Sequence, residues 1–372
     1  MKIAFVGLRA IGCCPGGVER HVEELSTRLA GAGHEVTVFC RTRYNTLRSS
    51  NWKGVTLRNV PAVYSKHLEA ISHTALTLPA LLQGFDIVHF HATGPSLFSF
   101  VPRLAGAKVV VTVHGLDFKR AKWGGAAKLV LRAGSWTAAH FPHATIVVSK
   151  ALQDYYLRAH GKETAYIPNA VTPKTYRPVD ALSRFDLRGG DYLLFLGRLV
   201  PEKGAHHLIK AFRKVPTDLQ LLIVGGGTHT DEYSQNLAQL AEGDRRIIFT
   251  GPLYGDEKEE ALSNARAFVM PSELEGMPIV LLEAASYGLP ILMSDIPECL
   301  EVFSGIPLTD AAKRPCCTFR SGDADDLALA LTEILNQPDL PSMGDRGREH
   351  VLAHYAWDQV VNKVLSVYDS VL

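Results

Sequence analysis

Two glutamates stand eight residues apart in Pro271-Ser272-Glu273-Leu274-Glu275-Gly276-Met277-Pro278-Ile279-Val280-Leu281-Leu282-Glu283-Ala284. The apolar run before Pro271 predicts a strand ending at Met270, then a glycine-containing turn, then a helix over Pro278–Tyr287. Proline suits the first helical position, where no N–H is needed. The first backbone N–H groups of such a helix have no intrahelical acceptor and form a ready phosphate site. In the turn, the Glu275 carboxylate can reach sugar hydroxyls. In the helix, the Glu283 carboxylate can accept hydrogen bonds from ribose hydroxyls. A strand, a turn and a helix with solvated glutamates would leave the same trace.

A second group is Gly197-Arg198-Leu199-Val200-Pro201-Glu202-Lys203-Gly204, between an apolar strand over Tyr192–Leu196 and a helix from Ala205. Arg198 and Lys203 at one strand end suit a diphosphate, Arg as a bidentate fork and Lys as a point charge. They could stabilise a departing nucleotide diphosphate as its charge grows, in place of a metal. The third group, Pro15-Gly16-Gly17, precedes a helix over Val18–Ala32 and permits close backbone approach at its start. The fourth is Val113-His114-Gly115, where His114 ends a buried strand and can touch a transferred sugar. His89 and His91 form a His-x-His pair, but no third ligand stands at a suitable spacing. No metal site is expected.

The elements that must hold these residues alternate from end to end. Strands are predicted over Lys2–Val6, Glu35–Cys40, Val55–Val60, Ile87–His91, Val109–His114, Thr145–Ser149 and Ala165–Ile167. Near-continuous apolar runs such as Val109-Val110-Val111 suit parallel strands buried on both faces. A break at Pro168-Asn169 and two further prolines read as a linker. The alternation then restarts with strands over Tyr192–Leu196, Gln220–Val224, Ile247–Thr250, Ala267–Met270 and Pro290–Ser294. The expected fold is therefore α/β, with two doubly wound Rossmann-like domains facing across an interdomain cleft. Their bounds are 1–172, with a terminal helix 357–372 crossing back, and 173–356.

Composition fits this expectation. The 372 residues are 47% hydrophobic and 21% charged, a globular profile. No apolar run approaches the roughly 20 residues of a membrane span. The start at Met1-Lys2-Ile3 reads as a strand rather than a leader, which predicts a cytoplasmic protein. The six cysteines lack C-x-x-C spacing and are expected as free thiols. The net charge of +1 hides a split. Residues 1–172 hold 20 Lys+Arg against 9 Asp+Glu, and the remainder 19 against 29. A basic half implies an anionic partner: a phosphorylated or lipid-linked acceptor, or an anionic membrane surface. The two halves could equally attract each other. The stretch Phe118-Lys119-Arg120-Ala121-Lys122-Trp123, continuing through Lys128 and Arg132, could be an interfacial helix or a solvated basic one.

Taken in order, these groups resemble the GT4, or group 1, family of glycosyltransferases. The resemblance covers nearly the whole chain. It rests on Gly16-Gly17, His114-Gly115, Ile167-Pro168-Asn169, Gly197-Arg198 with Glu202-Lys203-Gly204, the Glu275/Glu283 pair and the Trp357-Asp358 helix. It implies a GT-B fold and a retaining, metal-independent transfer of a hexose-type sugar without an assigned protein nucleophile. The donor would be a nucleotide-diphosphate sugar, with UDP the default. The acceptor would be an envelope polysaccharide, a lipid-linked saccharide or a small molecule, met in the cytoplasm or at the inner face of a membrane. Arg198 and Lys203 would hold the diphosphate, and Glu283 the ribose. Backbone at Gly276, Met277, Ile279 and Val280 would meet sugar hydroxyls and phosphate, with Glu275 near the sugar. His114 would sit by the sugar, and Gly16 and Gly17 beside phosphate or acceptor. No cofactor and no nucleic acid are implied. Where many members read Glu-Gly-Phe-Gly, this chain reads Glu275-Gly276-Met277-Pro278, and Pro278 removes one backbone donor.

Three rivals share parts of the pattern. A nicotinamide-dependent oxidoreductase should carry G-x-G-x-x-G, but the first loop reads Gly7-Leu8-Arg9-Ala10-Ile11-Gly12. The second strand ends Cys40-Arg41, not in an acidic residue for ribose. Gly225-Gly226-Gly227 is a weak glycine match. A nucleotide-sugar epimerase on the same scaffold should need other carboxylates than the Glu275/Glu283 pair. A non-enzymatic binding module need not keep Arg198, Lys203, Glu275 and Glu283 together.

Overall fold

The computed structural model describes all residues except 15, 48, 66, 67, 121, 122, 228–230, 311 and 312. The chain forms two compact units: Met1–Ala170 with Trp357–Leu372, and Val171–Ala356.

The first unit is built on strands β1 (Lys2–Val6), β2 (Glu35–Arg41), β3 (Asn51–Trp52), β4 (Val55–Val60), β5 (Ile87–His91), β6 (Lys108–Val113), β7 (Ala144–Val147) and β8 (Ala165–Tyr166). They form one sheet in the order β3-β4-β2-β1-β5-β6-β7-β8, in which β3 alone runs antiparallel to its neighbour. Burial on both faces accounts for the unbroken apolar stretches. Ile3 through Val6 and Val109 through Val111 are solvent-inaccessible. The helix Gly17–Gly31 buries His21, Val22, Leu25 and Leu29, the three-to-four spacing of a single apolar face. The terminal helix Trp357–Val371 adds Trp357, Val360, Val361, Val364 and Tyr368 to the same core.

The second unit holds β9 (Tyr192–Leu196), β10 (Gln220–Val224), β11 (Ile247–Gly251), β12 (Ala267–Met270), β13 (Ile291–Ser294) and β14 (Cys316–Phe319). Its sheet runs β11-β10-β9-β12-β13-β14, every neighbouring pair parallel. This is the Rossmann order, in which the winding direction reverses between the first and fourth strands. The reversal falls between β9 and β12. Crevices outside the carboxyl ends of such a strand pair are where doubly wound sheets take their ligands. In the first unit the reversal falls between β1 and β5.

Sequence expectations and structure part in a few places. β3 and β14 were not expected. The helix expected from Pro278 begins one residue later: Pro278 has extended backbone and caps a helix over Ile279–Ser286. The stretch from Phe118 to Arg132 is not one helix. A short 3-10 turn at Asp117–Lys119 gives way to extended backbone at Arg120, and a helix starts only at Gly125. Ala121 and Lys122 lie outside the described residues, as does Pro15 of the early glycine motif.

Candidate active site

The residues expected to hold a diphosphate and those expected near a sugar follow the two strands that flank the reversal point of the second unit. Gly197 and Arg198 leave β9, and the turn from Pro271 to Pro278 leaves β12. Three contacts join the loops. The Glu273 N–H donates to the Glu202 carbonyl at 2.9 Å. Gly204, with φ +68°, lies so close to the Pro271 carbonyl that a Cβ would stand 1.9 Å from its oxygen. The Lys203 ammonium donates to Glu275 Oε1, both side chains largely buried. Lys203 and Glu275, 72 residues apart, thus form one ion pair at the strand ends.

A further pair of close approaches sets the loop after β9. Gly197 and Leu199 donate to the Val224 and Gly226 carbonyls at 3.0 and 3.1 Å. A Cβ on Gly225 would stand 1.8 Å from the Gly197 carbonyl oxygen. Gly225, part of a weak dinucleotide match in the sequence, lets β10's end lie against the arginine loop.

The helix Ile279–Ser286 starts beside the turn. Leu281 and Leu282 N–H groups return to the Pro278 carbonyl, so the first two N–H groups are those of Ile279 and Val280. Such groups are half of an anion site by geometry alone. Pro278 stands at the cap, ahead of the free donors, and costs the helix none of them. Met277 is buried, and Gly276 is partly exposed. Deeper in the helix, Glu283 Oε2 accepts from Lys258 Nζ at 2.6 Å. Lys258, on the helix Gly255–Asn264, was not singled out in the sequence. Glu202 also escaped notice as a site residue: both its carboxylate oxygens are buried without a hydrogen-bond partner. Its place between Arg198 and Lys203 was the available signal.

In the first unit, His114 follows β6 and neighbours the end of β5. His91 Nδ1 and His114 Nε2 are 2.9 Å apart. The His21 ring meets the His114 ring edge-on at 4.9 Å between centroids. His21 lies one turn into the helix that Gly16 and Gly17 begin, so His114 and the glycine pair share one neighbourhood. Glu19 brings a carboxylate to the first turn of that helix and accepts from the Arg9 N–H at 3.3 Å. This negative charge offsets the helix's positive end.

The absence of a third histidine near His89 and His91 needs correction. Ring nitrogens of His21, His91 and His114 all lie within 4.8 Å of one another. The sequence spacing hid this because three separate elements supply them. His89 is not part of that group: Nδ1 meets the Tyr368 hydroxyl and Nε2 meets Thr112 Oγ1, each at 2.7 Å. Burial pushes the His21 imidazole down to about 4 and that of His89 to about 3. Burial, then the neighbouring rings, pushes His91 and His114 well below the ordinary histidine value. These rings are therefore neutral near pH 7. The six cysteines are free thiols, as expected.

Two predominantly parallel Rossmann-like sheets make up the GT-B fold. A model of glycosyltransferase family 4 matches residues 15–175, and one of glycosyl transferases group 1 matches residues 186–350. The chain belongs to the group 1 (GT4) glycosyltransferases and is a transferase. It is 29% identical to a phosphatidyl-myo-inositol mannosyltransferase of Mycolicibacterium smegmatis, over 96% of this chain and 91% of that one. It is 27% identical to a GDP-mannose-dependent alpha-(1-6)-phosphatidylinositol monomannoside mannosyltransferase of Mycobacterium tuberculosis, over 94% and 93% of the two chains. A glycogen synthase of the same species is 28% identical over 99% and 94%. Among solved structures, Anabaena HepE in complex with UDP and glucose superposes with a TM-score of 0.82 at 16% identity, covering 100% of both chains. No helix among the described residues is long and apolar enough to cross a membrane.

Proposed function

We propose that this chain is a retaining, metal-independent hexosyltransferase that uses a nucleotide-diphosphate sugar. In this reading residues 173–356 bind the donor, and residues 1–172 with the terminal helix bind the acceptor. The observation that carries it is the Lys203–Glu275 pair at the reversal point of a Rossmann sheet, beside the N–H groups of Ile279 and Val280. Lys203 and Arg198 neutralise the diphosphate as it leaves, the charge work a metal would otherwise do. The N–H groups of Ile279 and Val280 meet phosphate, while Glu275, Gly276 and Met277 meet sugar hydroxyls. Glu283, oriented by Lys258, accepts from the ribose. His114 contacts the sugar, with Gly16 and Gly17 on the acceptor side. Glu275 is paired with a lysine. Retention then proceeds by front-face attack, with the departing diphosphate as the base. Guanosine replaces uridine as the first base to test, because a relative is named for GDP-mannose.

Thermal shifts with GDP, UDP, ADP and NAD, with and without Mg²⁺, test the donor half on wild type and Glu283→Ala. A shift with one nucleoside diphosphate, independent of Mg²⁺ and weakened in the variant, is the expected result. A shift that requires Mg²⁺, or one with NAD alone, overturns it.

The acceptor half rests on charge and on one face of the first unit. Leu129, Val130 and Trp136 on the helix Gly125–His140 are exposed, as are Phe100 and Leu104 at the ends of the short helix Phe100–Leu104. Phe141 joins the two, its ring 5.6 Å from both Phe100 and Trp136. Exposed Arg103 and Arg132 flank these apolar groups. Apolar side chains with basic neighbours suit the cytoplasmic face of an anionic membrane, where a lipid-linked acceptor would lie. Co-sedimentation with phosphatidylglycerol vesicles should fall at least about fivefold in Trp136→Glu, the scale of losing roughly 1 kcal/mol or more of apolar contact. Equal binding to neutral vesicles, or no loss in the variant, counts against membrane contact.

A further inference from the structure

The proposed role of His114 leaves open what makes its ring a hydrogen-bond donor. The ring is neutral, and a neutral imidazole carries one proton on either nitrogen. Which nitrogen carries it is set by the partner of the other.

His91 supplies that partner. Its Nδ1 stands 2.9 Å from His114 Nε2, and its own Nε2 is buried without any hydrogen-bond partner. Two tautomer pairs satisfy the short contact. If His114 Nε2–H donated to His91 Nδ1, the proton of His91 would sit on Nε2. That would leave an N–H buried with no acceptor, an arrangement proteins rarely tolerate. If His91 Nδ1–H donates instead, the unpartnered nitrogen is a bare lone pair. His114 then accepts at Nε2 and must carry its proton on Nδ1.

The packing around His91 holds it in that orientation. Its ring stacks on Phe5 at 5.5 Å and lies 4.4 Å from the His89 ring. His89 is locked in turn by the Tyr368 hydroxyl and Thr112. The terminal helix thus contributes Tyr368 to the same stack, at two removes from His114. Backbone register places His91 opposite Thr112, two residues before His114.

We infer that His91 is a positioning residue: it fixes His114 as the Nδ1–H tautomer and so makes His114 a hydrogen-bond donor toward a hydroxyl of the transferred sugar. The catalytic consequence rests on the reading of His114 given above, whereas the tautomer does not.

The experiment is two-bond ¹H–¹⁵N correlation on the full chain labelled with ¹⁵N-histidine, where the shifts of the two ring nitrogens identify each tautomer. His114 is assigned by its loss in His114→Gln. The expected spectrum shows His114 protonated on Nδ1 at pH 7, and an Nε2–H signature overturns the inference. Kinetics test the consequence. His91→Phe keeps the ring's volume and loses the donor, and its kcat should fall on the order of a hundredfold. Affinity for the nucleoside diphosphate should be unchanged, since the other unit binds it. His91→Asn, whose amide N–H stands near the place of Nδ1, should recover most of the lost rate. A kcat in His91→Phe equal to wild type, or the same loss in His91→Asn, overturns the positioning role. Activity lost on chelation and restored by Zn²⁺ would show that these imidazoles hold a metal, and would overturn it too. Full activity in His114→Ala removes the sugar contact itself and leaves the tautomer to stand on the spectrum.

Discussion

Lys203→Ala should lower kcat by about a hundredfold or more, the scale of removing one fixed charge stabiliser from a transition state. In the folded chain the ammonium is already bound to Glu275, with 17% of the lysine side chain and 9% of the glutamate side chain exposed. The rotamer entropy of a long lysine is therefore lost on folding and not again when the donor arrives. Under the proposed function, an arriving diphosphate would find a cation in place, and the charge growing on its leaving oxygen would strengthen the contact. The substitution also strips Glu275 of its partner, and a buried carboxylate left alone is destabilising. Catalytic and structural effects must therefore be separated. The double variant Lys203→Ala/Glu275→Gln removes the unpaired charge and should recover stability without recovering rate. A loss below fivefold in a folded Lys203→Ala variant, measured by initial rates with saturating donor, would sink the assigned role.

Much of this site was legible because its parts are local. Residues 192–212 and 267–286 each contain a strand, its exit loop and a helix, and local apolar patterning marks the strands and helices. What joined them was not. The Lys203–Glu275 and Lys258–Glu283 pairs span 72 and 25 residues. Neither separation has a signature in one chain, since parallel strands bring together whatever their connections happen to space out. The histidine group shows the same limit more sharply. His89 and His91 look like a chelating pair, yet they serve different neighbours, because His89 is taken by Tyr368 from 279 residues away. Strand β14 was missed for a different reason. Cys316-Cys317-Thr318-Phe319 is too short for a period to show, and Pro315 before it reads as a breaker. The segment after Phe118 was misread because its basic and apolar residues suit a helix face, whereas Gly124 and Gly125 delay the helix start.

Gly204→Ala should strongly destabilise the second unit. Two costs meet at this position. With φ +68° an alanine sits in the left-handed region, a strain of about 1 kcal/mol or more. Its Cβ would also stand 1.9 Å from the Pro271 carbonyl oxygen, a backbone atom that cannot swing aside as a flexible side chain would. One of the two loops must move, which adds about 1–3 kcal/mol. Gly243 separates the terms, because it has φ +83° and open space where a Cβ would go. Gly243→Ala should lower the calorimetric Tm by only a few degrees, whereas Gly204→Ala should lower it by roughly 10 °C. The function should follow the geometry. Displacing Gly204 from Pro271 parts the Arg198–Lys203 loop from Glu275, so nucleoside diphosphate affinity should fall at least about tenfold, the scale of losing one charge-assisted contact. Gly243→Ala should leave that affinity alone. Equal Tm losses in the two variants would mean that conformational strain alone selects glycine at 204, and that the close approach of the two loops does not hold the site together.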